Sequence, residues 1–412
     1  MNLLPSRLPW VLLLVTSFCA FPALAQQTPT MEEMWEIIQR QQREIDSLRE
    51  ALGQTNNKVE ATEMKVVATA DAVDSVASAA ATGSSATSIG GYGELHLNRL
   101  DNELAGGEDR DQIDFHRFVL FFNHQFSDSV QFFSEFELEH SLAGDGEPGE
   151  VELEQAFVQW NLGGTTDAKA GLFLVPVGIL NETHEPPTFY GVERNNVEGQ
   201  IIPSTWWEAG SGVSGEFAPG WSYDFAVHSG LFMQDGRVRQ GRQKVAEALA
   251  DNYAYTGRVR FTGVPGLEVG LSLQQQTDVL QNETISGVSD IGGFLTELHA
   301  TYQAGPFAIR GLYAMWDFDD DINALRSGAD EQEGLYIEPS VRILDNLGVF
   351  ARYSTWDTQA GDNADSEISQ IDIGLNYWLT DGVVFKLDYQ DQDAPTGSNE
   401  FDGFNLGFGY AF

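Results

Sequence analysis

From Ile89 to Phe412 apolar and polar residues alternate with a period of two, in short runs separated by turn-forming residues. Val130, Phe132, Ser134, Phe136 and Leu138 fall on one side of a run, and Gln131, Phe133, Glu135, Glu137 and Glu139 on the other. Val383, Phe385, Leu387 and Tyr389 alternate with Lys386, Asp388 and Gln390, and Phe404, Leu406, Phe408, Tyr410 and Phe412 close the chain in the same way. A strand repeats like this when its two faces meet different media. The connections between runs alternate short and long. The short ones are 127–129, 163–167, 218–220, 263–266, 304–306, 344–346 and 380–382. The long ones are near 99–111, 140–150, 175–206, 233–250, 277–290, 317–332, 357–366 and 391–400. Seven short turns and eight long loops join sixteen strands. A two-sheet sandwich would not gather every long loop at one end, whereas an outer-membrane barrel does. The pattern therefore predicts an all-β fold: a 16-stranded antiparallel transmembrane β-barrel with lipid outside and a water-filled lumen inside.

Residues 31–80 follow another rhythm. Met31, Ile38, Ile45, Leu52, Val59, Val66, Val73 and Ala80 occupy one heptad position, and Met34, Gln41, Leu48, Thr55, Thr62, Thr69 and Val76 the other. This predicts an α-helical coiled coil over 26–82, firmer before Gly53 than after it. Such a helix cannot bury its stripe alone, which implies an oligomer. Before it, Arg7, the apolar run Leu8–Phe18 and Ala23-Leu24-Ala25 read as a signal peptide over 1–25. Residues 83–88 (GSSATS) read as a hinge between coil and barrel.

Composition removes other classes. Asp and Glu number 62 against 22 Lys and Arg, a formal charge of −40, so a nucleic-acid footprint is excluded. One cysteine excludes a disulfide framework. After the N-terminal stretch no apolar run is long enough for a membrane-spanning helix. The seven histidines show no H-E-x-x-H spacing, and no G-x-S-x-G elbow or phosphate-binding loop appears. No enzyme and no cofactor is expected.

The order of signal segment, coiled coil and barrel resembles a trimeric bacterial porin with an N-terminal extension, and the barrel resembles the phosphate-selective porin O and P family. The residues that carry the likeness are IGGYGELHLNRL (89–100), HRFVLFFNHQF (116–126), FFSEFELEHS (132–141), VELEQAFVQW (151–160) and AGLFLVPVGILNE (170–182). The terminal Phe412 is similar to the closing signature of outer-membrane proteins. The resemblance implies three barrels per assembly, each narrowed by an inward third loop, here about 175–206. It also implies the outer membrane of a Gram-negative cell, with the coil in the periplasm. Members selective for phosphate line their constriction with Arg and Lys. This loop instead carries Glu182, Glu185, Glu193 and Glu198 with Arg194 as its one base.

Alternation assigns the candidate pore residues. Arg258, Arg260, Arg310, Arg342, Arg352 and Lys386 fall on the polar face of the later strands, and Glu94, Glu135, Glu137 and Glu139 on that of the early ones. Glu152 and Glu154 join the acids if the phase holds, but it slips near Gln155. A basic half facing an acidic half, with an acidic loop between them, would set a transverse field across the pore. Arg237, Arg239, Arg242 and Lys244 form a basic cluster in the fourth long loop, placed at the mouth to draw in anions or to meet lipopolysaccharide phosphates. Asp317, Asp319 and Asp321 have the spacing of a calcium loop, but Ile322 stands where glycine is needed; they are a weak metal candidate in a solvated acidic loop. The expected function is passive diffusion of small hydrophilic solutes and ions. Two alternatives stand beside it: an anion-selective channel for phosphate or dicarboxylates, and a structural anchor joining the membrane to the peptidoglycan through the coil.

Overall fold

The computed structural model describes residues 86–412 together with Trp35 and Gln39, both helical. The expected signal segment, the rest of the coil and most of the hinge lie outside the described residues. The chain divides into two compact units, Met1–Ala81 and Thr82–Phe412.

The second unit is a closed antiparallel barrel of sixteen strands, each paired with its neighbours in chain order. Its first half comprises β1 (Thr87–Asn102), β2 (Arg110–Ser127), β3 (Val130–Glu139), β4 (Val151–Gly163), β5 (Thr166–Leu174), β6 (Trp207–Ala218), β7 (Trp221–His228) and β8 (Ala254–Val264). The second comprises β9 (Leu267–Gln276), β10 (Gly293–Ala304), β11 (Phe307–Phe318), β12 (Glu331–Leu344), β13 (Leu347–Asp357), β14 (Ile368–Thr380), β15 (Val383–Asp393) and β16 (Phe401–Ala411). Strand β1 starts at Thr87, paired with His124, so the last two residues of the expected hinge belong to the barrel. Every expected short turn falls between consecutive strands and shrinks to a two-residue connection. The long connections are loops 1 (103–109), 2 (140–150), 3 (175–206), 4 (229–253), 5 (277–292), 6 (319–330), 7 (358–367) and 8 (394–400).

Closure joins β1 to β16, with Leu97 opposite Leu406. Phe412 extends the seam, donating its N–H to Gly91 O at 2.8 Å and accepting from Gly91 N at 3.0 Å. No edge is left with unpaired backbone groups, which a bilayer requires. In β9 Val269, Leu271 and Leu273 are exposed on the outer face while Ser272, Gln274 and Gln276 are buried inside. In β15 Phe385, Leu387 and Tyr389 face out while Lys386 and Asp388 face in. The outer face is the one that lipid covers.

The inner face departs from uniform polarity. Leu295 of β10, Leu312 and Trp316 of β11 and Tyr336 of β12 point inward and are buried. They meet Val197, Ile201 and Trp206 of loop 3, Leu231, Met233 and Val238 of loop 4, Val279 and Ile291 of loop 5, and Ile322 of loop 6 in one apolar cluster. Four long loops thus fold into the barrel and share a dry core against β10–β13, where alternation predicts a water-lined wall.

Candidate functional site: the constricted lumen

Loop 3 is held at its neck. Val175 N donates to Trp206 O at 3.0 Å. Asn181 clamps both ends, donating to Val175 O (2.8 Å) and Trp206 O (3.0 Å) while accepting from Trp206 N (2.7 Å). Further along, Asn195 caps the short helix α1 (Asn196–Gln200) by accepting from Glu198 N. The Glu198 carboxylate accepts from Ile179 N at 2.9 Å, Leu180 N at 2.6 Å and the Tyr336 hydroxyl at 2.8 Å. Burial pushes its pKa up, against the Leu180 N–H and the Tyr336 hydroxyl, which pull it down. Gly178, at φ +78°, is needed there because a Cβ would stand 2.7 Å from that carboxylate. Glu198, expected as a pore acid, is therefore a structural acceptor with no face to the water.

The loop then crosses to the opposite wall. Asn376 donates to Phe189 O (2.9 Å), Trp378 to Pro187 O (3.2 Å), and Val192 N to Asp388 (2.6 Å). Trp316 on β11 donates to Ile201 O at 3.0 Å. Loop 3 is thus tied to β11, β12, β14 and β15 and occupies the lumen.

Two of its other acids meet bases on the wall. Glu182 lies 2.5 Å from Arg258, and Glu193 lies 3.0 Å from His96 Nδ1. Glu185 is half-buried in the turn before the 3-10 helix Pro186–Thr188. Arg194 donates to the Thr205 hydroxyl at 3.0 Å. The loop's negative charge is largely matched before a solute arrives, so it is not the free acidic element that its composition suggests.

The expected basic wall is matched too. Register sets three of these arginines directly opposite an acid: Asp224 faces Arg258, Glu338 faces Arg310, and Asp372 faces Arg352. The contacts are 2.9 Å for Asp224–Arg258, 2.8 Å for Glu338–Arg310 and 2.9 Å for Asp372–Arg352. Arg260 is one-third exposed and 3.8 Å from Asp224. Lys386 is buried with its Nζ 3.4 Å from the Phe189 ring centroid. Arg342 is not at the constriction. It sits at the turn end of β12, donating to Asp345 O at 3.0 Å, its guanidinium 3.6 Å from the Trp378 ring centroid.

More acids lie on the inner side of the early strands than alternation places there. Glu135 and Glu137 are buried and Glu139 half-buried on the inner side of β3. A bulge opposite Glu135 resets the phase of β4, so Glu154 is buried inside while Val151 and Leu153 are exposed outside. Glu152 follows it inward and pairs with Lys244. A second bulge, between β1 and β2, turns Arg117 inward beside Glu94 at 2.5 Å. Alternation without the bulge misses Arg117.

The fourth-loop cluster does not form a mouth. Arg239 donates to Gly199 O (2.7 Å) and Ser204 O (2.9 Å), and Arg242 to Thr205 O (2.5 Å). Both lie folded onto loop 3. Arg237 alone stays out, half-exposed beside Asp235. Lys244 bridges to Glu150 at 2.6 Å and to Glu152. The physical reason is apolar: Leu231, Met233 and Val238 of the same loop bury in the inner core and carry the arginines in with them. That apolar run, in a loop placed at the mouth by its charges, was the signal in the sequence.

Arg242 lies within electrostatic reach of Glu139, Glu152 and Glu154, and Arg194 of Glu94 and Glu137. The free field of the lumen thus runs between the acids of β3–β4 and the arginines of loops 3 and 4. Asp317, Asp319 and Asp321 remain exposed. Asp319 accepts from Gly292 N at 2.6 Å, and the three do not converge among the described metal-ligating groups.

Comparison with known proteins agrees with this geometry. Over 337 residues the chain is 32% identical to an uncharacterised protein of Aquifex aeolicus (strain VF5), covering 74% of this chain and 76% of the relative. Among solved structures it is similar in fold to an anion-selective porin from Comamonas acidovorans, with a TM-score of 0.57 and 15% identity over 79% of this chain and 99% of the other. The outer membrane channel DcaP of Acinetobacter baumannii gives 0.56 and 11% over 79% and 97%. Salmonella typhi OmpF, solved in complex with daunomycin, gives 0.57 and 12% over 79% and 97%. The family model for Gram-negative porins matches residues 67–397; with a closed sixteen-stranded barrel and an inward third loop, the chain belongs to the Gram-negative porin family.

Proposed function

We propose that this outer-membrane channel passes small hydrophilic solutes and ions with weak charge preference, and that it works as a homotrimer. The observation that carries the reading is the pairing of charges in the lumen. Arg258, Arg310 and Arg352 each hold a carboxylate, Glu182 and Glu193 each hold a base, and what remains is an acid face on β3–β4 opposed by Arg194, Arg239 and Arg242. Opposed charges orient a dipolar solute and its water as it passes, without binding it tightly. Trimer formation is supported by a solved neighbour in trimer form, the in-vitro folded OmpT of Vibrio cholerae. In this reading the coiled coil stands in the periplasm and lipopolysaccharide surrounds the barrel.

Planar-bilayer recording tests the proposal. The channel should open in groups of three equal steps, with a small reversal potential in a KCl gradient. Arg194→Glu combined with Arg242→Glu should move that potential toward cations. An anion-specific pore for phosphate or dicarboxylates asks for bases free of acid partners, and the paired arginines speak against it. A strongly anion-selective reversal potential would overturn weak selectivity in its favour. A folded protein that carries no current would favour the anchor instead.

A further inference from the structure

We propose that the extracellular end of the β1–β2–β3 wall is a binding site for a divalent transition-metal ion, held by the imidazoles of His116 and His140 and the carboxylate of Asp114. Asp114 and His116 come together on β2 at the bulge that also turns Arg117 inward. Arg117 pairs with Glu139, and the ladder continues as His140 N donates to His116 O at 3.1 Å. The register therefore sets His140 beside His116. Asp114 Oδ2 lies 2.7 Å from His140 Nδ1 and 3.3 Å from His116 Nδ1. Ligand atoms that share a zinc ion at about 2.0–2.1 Å stand about 3.3 Å apart in a tetrahedron. One contact already has that spacing, and the other needs to open by about half an ångström.

The surroundings favour a metal over a merely packed cluster. His116 stacks on His96 with ring centroids 4.6 Å apart and 13° between planes, and His96 meets Glu193 of loop 3. His116 thus belongs to two overlapping ligand sets, the second completed by His96 and Glu193. His116 and His140 are one-third exposed, which lets an ion enter and leaves room for water at a fourth position. Two imidazoles and one carboxylate suit Zn²⁺, Cu²⁺ or Ni²⁺. Ca²⁺ and Mg²⁺ prefer an all-oxygen shell. An ion held here, beside loop 3, would lie in the current path and obstruct it.

The test uses the full-length protein in detergent, titrated with zinc chloride in a calorimeter, and the same protein recorded in a planar bilayer as zinc is added. Zinc should bind and lower the conductance, while calcium at equal concentration should do neither. His140→Ala and Asp114→Asn should each weaken zinc binding about tenfold or more. His124→Ala should not, since that ring bonds Thr87 instead, 2.7 Å away. Variants with unaltered conductance before zinc are folded, and the comparison is made among them. Absence of zinc binding in the unmodified protein overturns the proposal, as does zinc affinity unchanged in both His140→Ala and Asp114→Asn, or equal binding of calcium. Calorimetry reads the site even if the channel reading fails, so the two can fail separately.

Discussion

Replacing residues 183–194 by a short Gly-Ser bridge should raise single-channel conductance by roughly twofold or more. This segment carries the contacts that tie loop 3 to the far wall, through Pro187 O, Phe189 O and Val192 N. The neck clamp at Asn181 and the cap of Glu198 lie outside it, so α1 keeps its place in the inner core. With the segment gone the lumen gains the volume of twelve residues less that of the bridge, and Arg194 no longer opposes Glu137. Glu185 and Glu193 leave together with Arg194, so the reversal potential should move little, and toward anions, as the current rises. A conductance unchanged by the replacement would mean that the segment lies along the wall away from the ion path, and the constriction would have to be sought among loops 4 to 6.

Leu271→Arg should destabilise the barrel by about 2–4 kcal/mol, the range for a guanidinium at the bilayer midplane. Leu271 stands mid-strand in β9, opposite Val259 and Leu298, and all three are exposed on the outer face. Ile343→Arg, beside the turn after β12 and also exposed, should lose only about 0–1 kcal/mol because the charge reaches the interface. Urea titration of protein folded into lipid vesicles measures both. Equal losses at the two positions would show that the outer face is not graded by membrane depth, and the inside-outside assignment of β9 would fall.

The barrel was legible because its signals are local. Turn residues at 128–129 or 381–382 need only their own neighbourhood, and Leu271 against Ser272 needs only the next residue. The lumen was less legible because it depends on register and on bulges. Arg258 can be placed on the inner face from alternation, but its neutralisation by Asp224 appears only when β7 is aligned on β8. Glu154 and Arg117 face inward through bulges that add one residue and reverse the phase. The fourth loop misled for a different reason. Its arginines were read by charge, whereas its apolar Leu231 and Met233 decide where it lies.

The dry core that loops 3 to 6 share inside the barrel bears on how such a protein can change over generations. Surface loops ordinarily drift fastest, since insertions there disturb nothing beneath them. Here an insertion in loop 5 or 6 would pry apart Val279, Ile291 and Ile322 from Trp206 and Trp316, so these four loops must evolve in concert, as a core does. The freedom to diversify falls to loops 1, 2, 7 and 8, which stay out of that core and have exposed tips.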